Sequence, residues 1–78
     1  MENTIYLANL RIKDSFKMHF SNDNPDLSKK LIDVGLMPGK TFKVLFKLYN
    51  GTIIIGDEAT KIAIDENAAH KIMVIPET

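Results

Sequence analysis

The stretch Leu31-Ile32-Asp33-Val34-Gly35-Leu36-Met37-Pro38-Gly39-Lys40-Thr41-Phe42-Lys43-Val44-Leu45 decides the fold. It reads as a helix end, a capped stop, a tight turn and the first residues of a strand. Gly35 stands where a helix end needs a residue that tolerates positive φ, and Leu36 is then placed to fold back onto Leu31 in a Schellman-type stop. Pro38 and Gly39 suit positions i+1 and i+2 of a type II turn, because proline presets φ and glycine accepts the left-handed conformation that follows. The chain reverses there and a strand begins.

Upstream of this stretch, Asn24 followed by Pro25 reads as an N-cap and a first helical residue behind the turn cluster Ser21-Asn22-Asp23-Asn24. Leu27, Leu31 and Val34 recur at helical spacing and form one apolar stripe, with Lys29, Lys30 and Asp33 on the opposite side. A helix of about ten residues is unstable alone, so the stripe must lie on the strands. Phe16, Met18 and Phe20 alternate with Lys17 and His19, the signature of a half-buried strand with His19 pointing outward. Residues 1–8 carry Ile5, Tyr6 and Leu7 without a clear period and read either as an arm or as an edge strand.

Downstream, Phe42, Val44, Phe46 and Leu48 alternate with Lys43, Leu45 and Lys47, which predicts a central strand with the first set facing inward. Asn50-Gly51 is the strongest hairpin signal. A two-residue type I′ loop there would set Leu48 opposite Ile53 and Phe46 opposite Ile55. Gly56-Asp57-Glu58 ends that strand, Lys61 to Ile64 form the next, and Asp65 caps a single helical or 3₁₀ turn through Ala69. Ile72 and Val74 mark a last strand, and Pro76-Glu77-Thr78 is expected at the surface. The pattern is mainly β: one domain over residues 1–78, a small antiparallel barrel or bent sheet of five strands with one short helix after the first strand.

Composition narrows the function classes. Ten lysines and arginines balance ten aspartates and glutamates, so net charge favours neither nucleic acid nor an anionic membrane as partner. The longest apolar run, Ile53-Ile54-Ile55, is far shorter than the roughly 20 residues of a membrane span, so direct membrane insertion is not expected. With no cysteine, the small core has no disulfide or thiolate-metal staple.

The order helix, Leu31-Ile32-Asp33-Val34-Gly35-Leu36-Met37-Pro38-Gly39, strand, hairpin, Ile62-Ala63-Ile64, Ala68-Ala69 and Ile72-Met73-Val74 resembles the ferrous iron transport protein A (FeoA) family. It is also similar to the C-terminal SH3-like domain of iron-dependent repressors. The resemblance covers roughly residues 8–75. It departs from the family pattern at Ile12-Lys13, where Pro-Gly is usual, at Asp65, where arginine is usual, and at Ala68-Ala69, where Glu-Ala is usual. What it implies is a cytoplasmic SH3-like barrel without catalytic activity, cofactor or resident metal. Such a protein would serve bacterial ferrous iron uptake by contact with the FeoB-type permease and its cytosolic GTPase domain, with weak self-association allowed.

Candidate chemistry in the residues is sparse. His19 and His70 lack a shared ligand spacing, and Asp57-Glu58 and Asp65-Glu66 sit at turns and caps where carboxylates serve the backbone. No nucleophile stands beside a base, and Pro38-Gly39-Lys40 leads into a strand rather than the helix of a phosphate loop. Direct ferrous binding would need a coordination set the sequence does not supply. A ribosomal-type RNA module, faintly echoed by Gly39 to Val44, is the alternative reading, though such modules are usually strongly basic and this chain has a pI near 6.7. The outward side chains are more informative. Lys43, Leu45, Lys47 and Ile54, with Met73 and the turn residues Met37 and Tyr49, are expected to form a partner-binding surface unless the N-terminal arm covers them.

Overall fold

The computed structural model describes residues 3–19 and 25–77, so Phe20 and the Asn24 cap with its turn cluster lie outside the described residues. Helix α1 (Pro25–Asp33) stops as its sequence requires. Gly35 has a φ of 106°. Its N–H donates to the Ile32 carbonyl at 3.0 Å while the Leu36 N–H reaches back to the Leu31 carbonyl at 2.9 Å, the paired bonds of a Schellman stop. Leu31 and Leu36 are both buried, whereas Val34 is exposed. The expected stripe is corrected at that position: Val34 falls after the last helical residue, and the stop swings Leu36 onto the core in its place. The Lys40 N–H then donates to the Met37 carbonyl at 3.4 Å across Pro38-Gly39, closing the anticipated turn.

The strands are β1 (Ile5–Tyr6), β2 (Ser15–Met18), β3 (Thr41–Lys47), β4 (Ile53–Gly56), β5 (Lys61–Ile64) and β6 (Met73–Glu77), with a one-turn helix α2 (Glu66–Ala69) between the last two. They form one antiparallel sheet in the order β1-β6-β2-β3-β4-β5, with β3 between β2 and β4 as expected of a central strand. The N-terminal segment is an edge strand: Ile5 lies opposite Val74 and Tyr6 opposite Met73. Six strands therefore replace the expected five, and α1 follows the second. Leu7 next enters the core, its N–H donating to the Ile72 carbonyl at 2.8 Å. Among the described residues no ladder joins β1 to β5, so the sheet is not closed into a barrel by backbone hydrogen bonds.

The register of the central hairpin differs from expectation in two places, each with a cause. Gly51 has a φ of 92° but Asn50 is not in the left-handed region, so the turn is not type I′. Instead the loop holds Tyr49, Asn50 and Gly51, with the Gly51 N–H on the Leu48 carbonyl at 3.0 Å and the Leu48 N–H on the Thr52 carbonyl at 2.7 Å. A β-bulge then falls between Val44 and Phe46: Val44 pairs with Ile55, Phe46 with Ile54 and Lys47 with Ile53. One extra residue reverses the side-chain phase, so Phe46 and Leu48, expected inside, are exposed.

The core lies under the inner face of this sheet. Phe16 and Phe42 are directly paired across β2 and β3, fully buried, with ring centroids 6.2 Å apart. Asp65 caps α2 by accepting from the Ala68 N–H at 2.8 Å. Pro76, expected at a surface terminus, sits instead in β6 opposite Phe16. The missing N–H of a proline is tolerated there because β1 pairs only with Met73 and Val74, leaving β6 with one neighbouring strand at that point.

Candidate functional site

Directly paired residues share a face of the sheet, so the register defines the outer surface. Ser15, Lys43, Gly56 and Lys61 form one row across β2, β3, β4 and β5, and Phe46, Ile54 and Ala63 form the next. Between these rows Leu45, the bulge residue, is half-buried, and Phe46 in the second row is 59% exposed. An apolar groove runs here, lined by Ile12, Lys13, Lys43, Leu45, Phe46 and Lys61. A contiguous apolar surface with a charged rim is the usual form of a protein contact site.

One wall of the groove is the turn Arg11–Asp14. The Asp14 N–H donates to the Arg11 carbonyl at 3.0 Å, and the Asp14 carboxylate accepts from the Arg11 N–H at 2.8 Å. The turn is bonded onto β3 in both directions, Lys13 N–H to the Val44 carbonyl at 2.8 Å and Val44 N–H to the Asp14 carbonyl at 3.0 Å. Lys13 is thereby held at a φ of 78°. Ile12, the residue before it, is 49% exposed.

Of the residues expected to bind a partner, Lys43 and Leu45 meet in this groove and Ile54 lies in the adjoining row. Lys47 does not belong with them: the bulge puts it opposite Ile53, and its Nζ donates to the Ala8 carbonyl at 3.2 Å. Met37 and Tyr49 are exposed at separate turns, and Met73 is half-buried opposite Tyr6. The N-terminal arm therefore reaches Met73 but leaves Leu45 and Phe46 uncovered. Sequence reasoning missed Ile12, Lys13, Phe46 and Lys61. The signal available for Phe46 was the run Val44-Leu45-Phe46, three consecutive apolar residues that break the alternation where the bulge falls.

Two carboxylates elsewhere on this side of the molecule, Glu77 and Asp57, are each tied to neighbours. Glu77 accepts from Thr41 Oγ1 at 3.1 Å and stands 3.4 Å from Lys17 Nζ. Asp57 begins the loop between β4 and β5, its Oδ1 accepting from the N–H groups of Ala59 at 2.9 Å and Thr60 at 2.8 Å. These bonds hold its carboxyl below the usual carboxylate range, with a smaller contribution from Lys40. The unfolded chain thus binds this proton more tightly than the fold. The stabilisation is complete above the unfolded value, about pH 3.9, and is lost as pH falls through the lower folded value. Urea midpoints of the protein and of Asp57→Asn should differ by a constant amount above about pH 5 and converge below about pH 4. A difference independent of pH would assign the loop's stability elsewhere.

The histidines are set apart, His19 beside the end of β2 and His70 after α2, 4.0 Å from Glu66. Among the described residues no group of three or more His, Asp and Glu side chains is placed to hold a metal ion. No helix of the described residues is long and apolar enough to cross a membrane.

Comparison with known proteins places this surface on a familiar frame. The model of the FeoA domain family matches residues 5–76. A crystal structure of an iron uptake regulatory protein (FeoA) is 27% identical, with a TM-score of 0.74 over 96% of this chain and 99% of that one. The solution structure of the FeoA protein from Chlorobium tepidum is 24% identical, with a TM-score of 0.78 over 95% of this chain and 71% of that one. A manganese-dependent transcriptional repressor shares the fold at 18% identity, with a TM-score of 0.80 over 99% of this chain but only 44% of its own. Among curated protein sequences no significant match was found. With the family pattern spanning all six strands and both helices, the chain belongs to the FeoA domain family.

Proposed function

We propose that this protein is a cytoplasmic accessory of bacterial ferrous iron uptake that acts by direct contact with a FeoB-type permease bearing a GTPase domain. Family membership supports the association with iron uptake. The observation that carries the contact is the outer face of β3 and β4, where the bulge turns Phe46 out beside Leu45 and Ile12 although the core beneath is complete without it. Binding there changes transport only if affinity differs between states of the permease, because a ligand shifts an equilibrium by its differential affinity alone.

Calorimetric titration against the full permease, without nucleotide and with GDP or a GTP analogue, tests this directly. Binding is expected, with an affinity that depends on the nucleotide. Phe46→Ser should weaken it about tenfold or more while leaving the melting temperature near that of the parent, since Phe46 is a solvent-exposed anchor. Absence of binding to the full permease in every nucleotide state overturns the reading.

A further inference from the structure

We propose that the groove between Ile12 and Phe46 seats an acidic amphipathic segment of a protein partner, one apolar side chain lying over Leu45 with carboxylates meeting Lys13, Lys43 and Lys61. The proposal rests on the adaptor reading above only for which protein supplies the segment. Lys13, Lys43 and Lys61 converge on walls that are otherwise apolar. Among the described residues the carboxylate pairings are Lys17 with Glu77 and His70 with Glu66, and the groove lysines make no side-chain hydrogen bond. Their charges are available to a partner.

The sheet spaces these charges. Lys43 and Lys61 flank Gly56 in one row, so they are separated by two strand spacings, roughly 10 Å. Gly56 itself is buried, with the Thr60 carbonyl standing where its side chain would be. Lys13 adds an independent observation, because its φ of 78° is one a lysine adopts at a conformational cost and a glycine adopts freely. Its side chain contributes no internal bond that would explain lysine there, whereas its position on the groove wall does.

A protein segment fits better than a lipid surface. Asp57 and Glu58 line the hollow on the other side of Lys43, so charge changes sign over a short distance along this face. A uniformly anionic plane would meet both signs, while a short segment in fixed register meets the lysines alone.

The probe is the peptide acetyl-Glu-Asp-Leu-Phe-Asp-Glu-amide, titrated into ¹⁵N-labelled protein, with the same peptide carrying lysine at every acidic position as control. Amide shifts confined to Ile12, Lys13, Lys43, Leu45, Phe46 and Lys61 are expected, with affinity falling several-fold between about 0.05 and 0.5 M salt. The double variant Lys43→Glu/Lys61→Glu should abolish the shifts. Lys13→Gly should keep or raise the melting temperature yet lower the affinity several-fold, which a purely structural lysine would not do. Equal shifts from the basic peptide, insensitivity to the lysine variants, or preferential binding to phosphatidylglycerol vesicles overturns the proposal. The permease titration separates the two readings. Peptide binding without permease binding refutes the adaptor and keeps the groove, whereas permease binding unaffected by lysine reversal refutes the groove and keeps the adaptor.

Discussion

Replacing Phe16 by alanine should cost about 3–5 kcal/mol, the usual loss for emptying a buried phenylalanine site. Phe16 is fully buried, paired in register with Phe42 on one side and Pro76 on the other, and its ring lies 6.2 Å from that of Phe42. A chain of this length has a total stability of roughly 4–12 kcal/mol, so the loss is a large fraction of the whole and the urea midpoint of the variant should fall well below that of the parent. Three sheet strands meet at this point, and the proline ring cannot move to fill the void without disturbing β6. Urea unfolding followed by far-UV circular dichroism measures the change. A loss below about 1 kcal/mol would show that the core closes over the missing ring. Phe16→Leu, which keeps most of the volume, should recover much of the difference.

Gly56→Ala should cost about 3 kcal/mol, although Gly56 lies in ordinary strand conformation and not in the left-handed region. The cause is close approach. A β-carbon at Gly56 would fall on the Thr60 carbonyl oxygen and come within 3.1 Å of Lys61 Cα. That backbone cannot retreat freely, because the Thr60 carbonyl accepts from the Asp57 N–H at 2.9 Å and the Thr60 N–H is held by the Asp57 carboxylate at 2.8 Å. Gly35 provides the contrast. A β-carbon there meets nothing nearer than the Thr60 methyl at 3.8 Å, so Gly35→Ala carries only the left-handed backbone penalty of about 1–2 kcal/mol. Thermal unfolding of the two variants should rank Gly56→Ala as the less stable, and the reverse order would refute the steric argument.

How much of this was legible in the sequence depends on the range of the forces involved. The helix stop at Gly35 and the turn at Pro38-Gly39 are local: the residues that demand them lie within a few positions of one another, and both form as read. The most specific part of the family resemblance, Leu31 to Gly39, is this same stretch. The edge strand at Ile5–Tyr6 was ambiguous because two residues carry no period and pairing with Met73 and Val74 is set by distant chain. The hairpin failed at the level of register. Asn50-Gly51 marks a loop of either two or three residues, and one extra residue at Leu45 decides whether Phe46 faces the core or solvent. Three residues of the candidate surface, Lys43, Leu45 and Ile54, therefore followed from alternation. The remainder, at Ile12, Lys13, Phe46 and Lys61, exists only because separate strands and a turn are brought side by side.

The bulge at Leu45 divides the work of one strand. On the N-terminal side of it β3 supplies Phe42 and Val44 to the interior, and on the C-terminal side it supplies Phe46 to the exterior, so one strand serves two masters in succession. A substitution at Phe46 therefore changes the outer surface without repacking the core beneath it. Two constraints that usually share one alternation are here separated along the chain, the interior one ending at Val44 and the exterior one starting at Phe46.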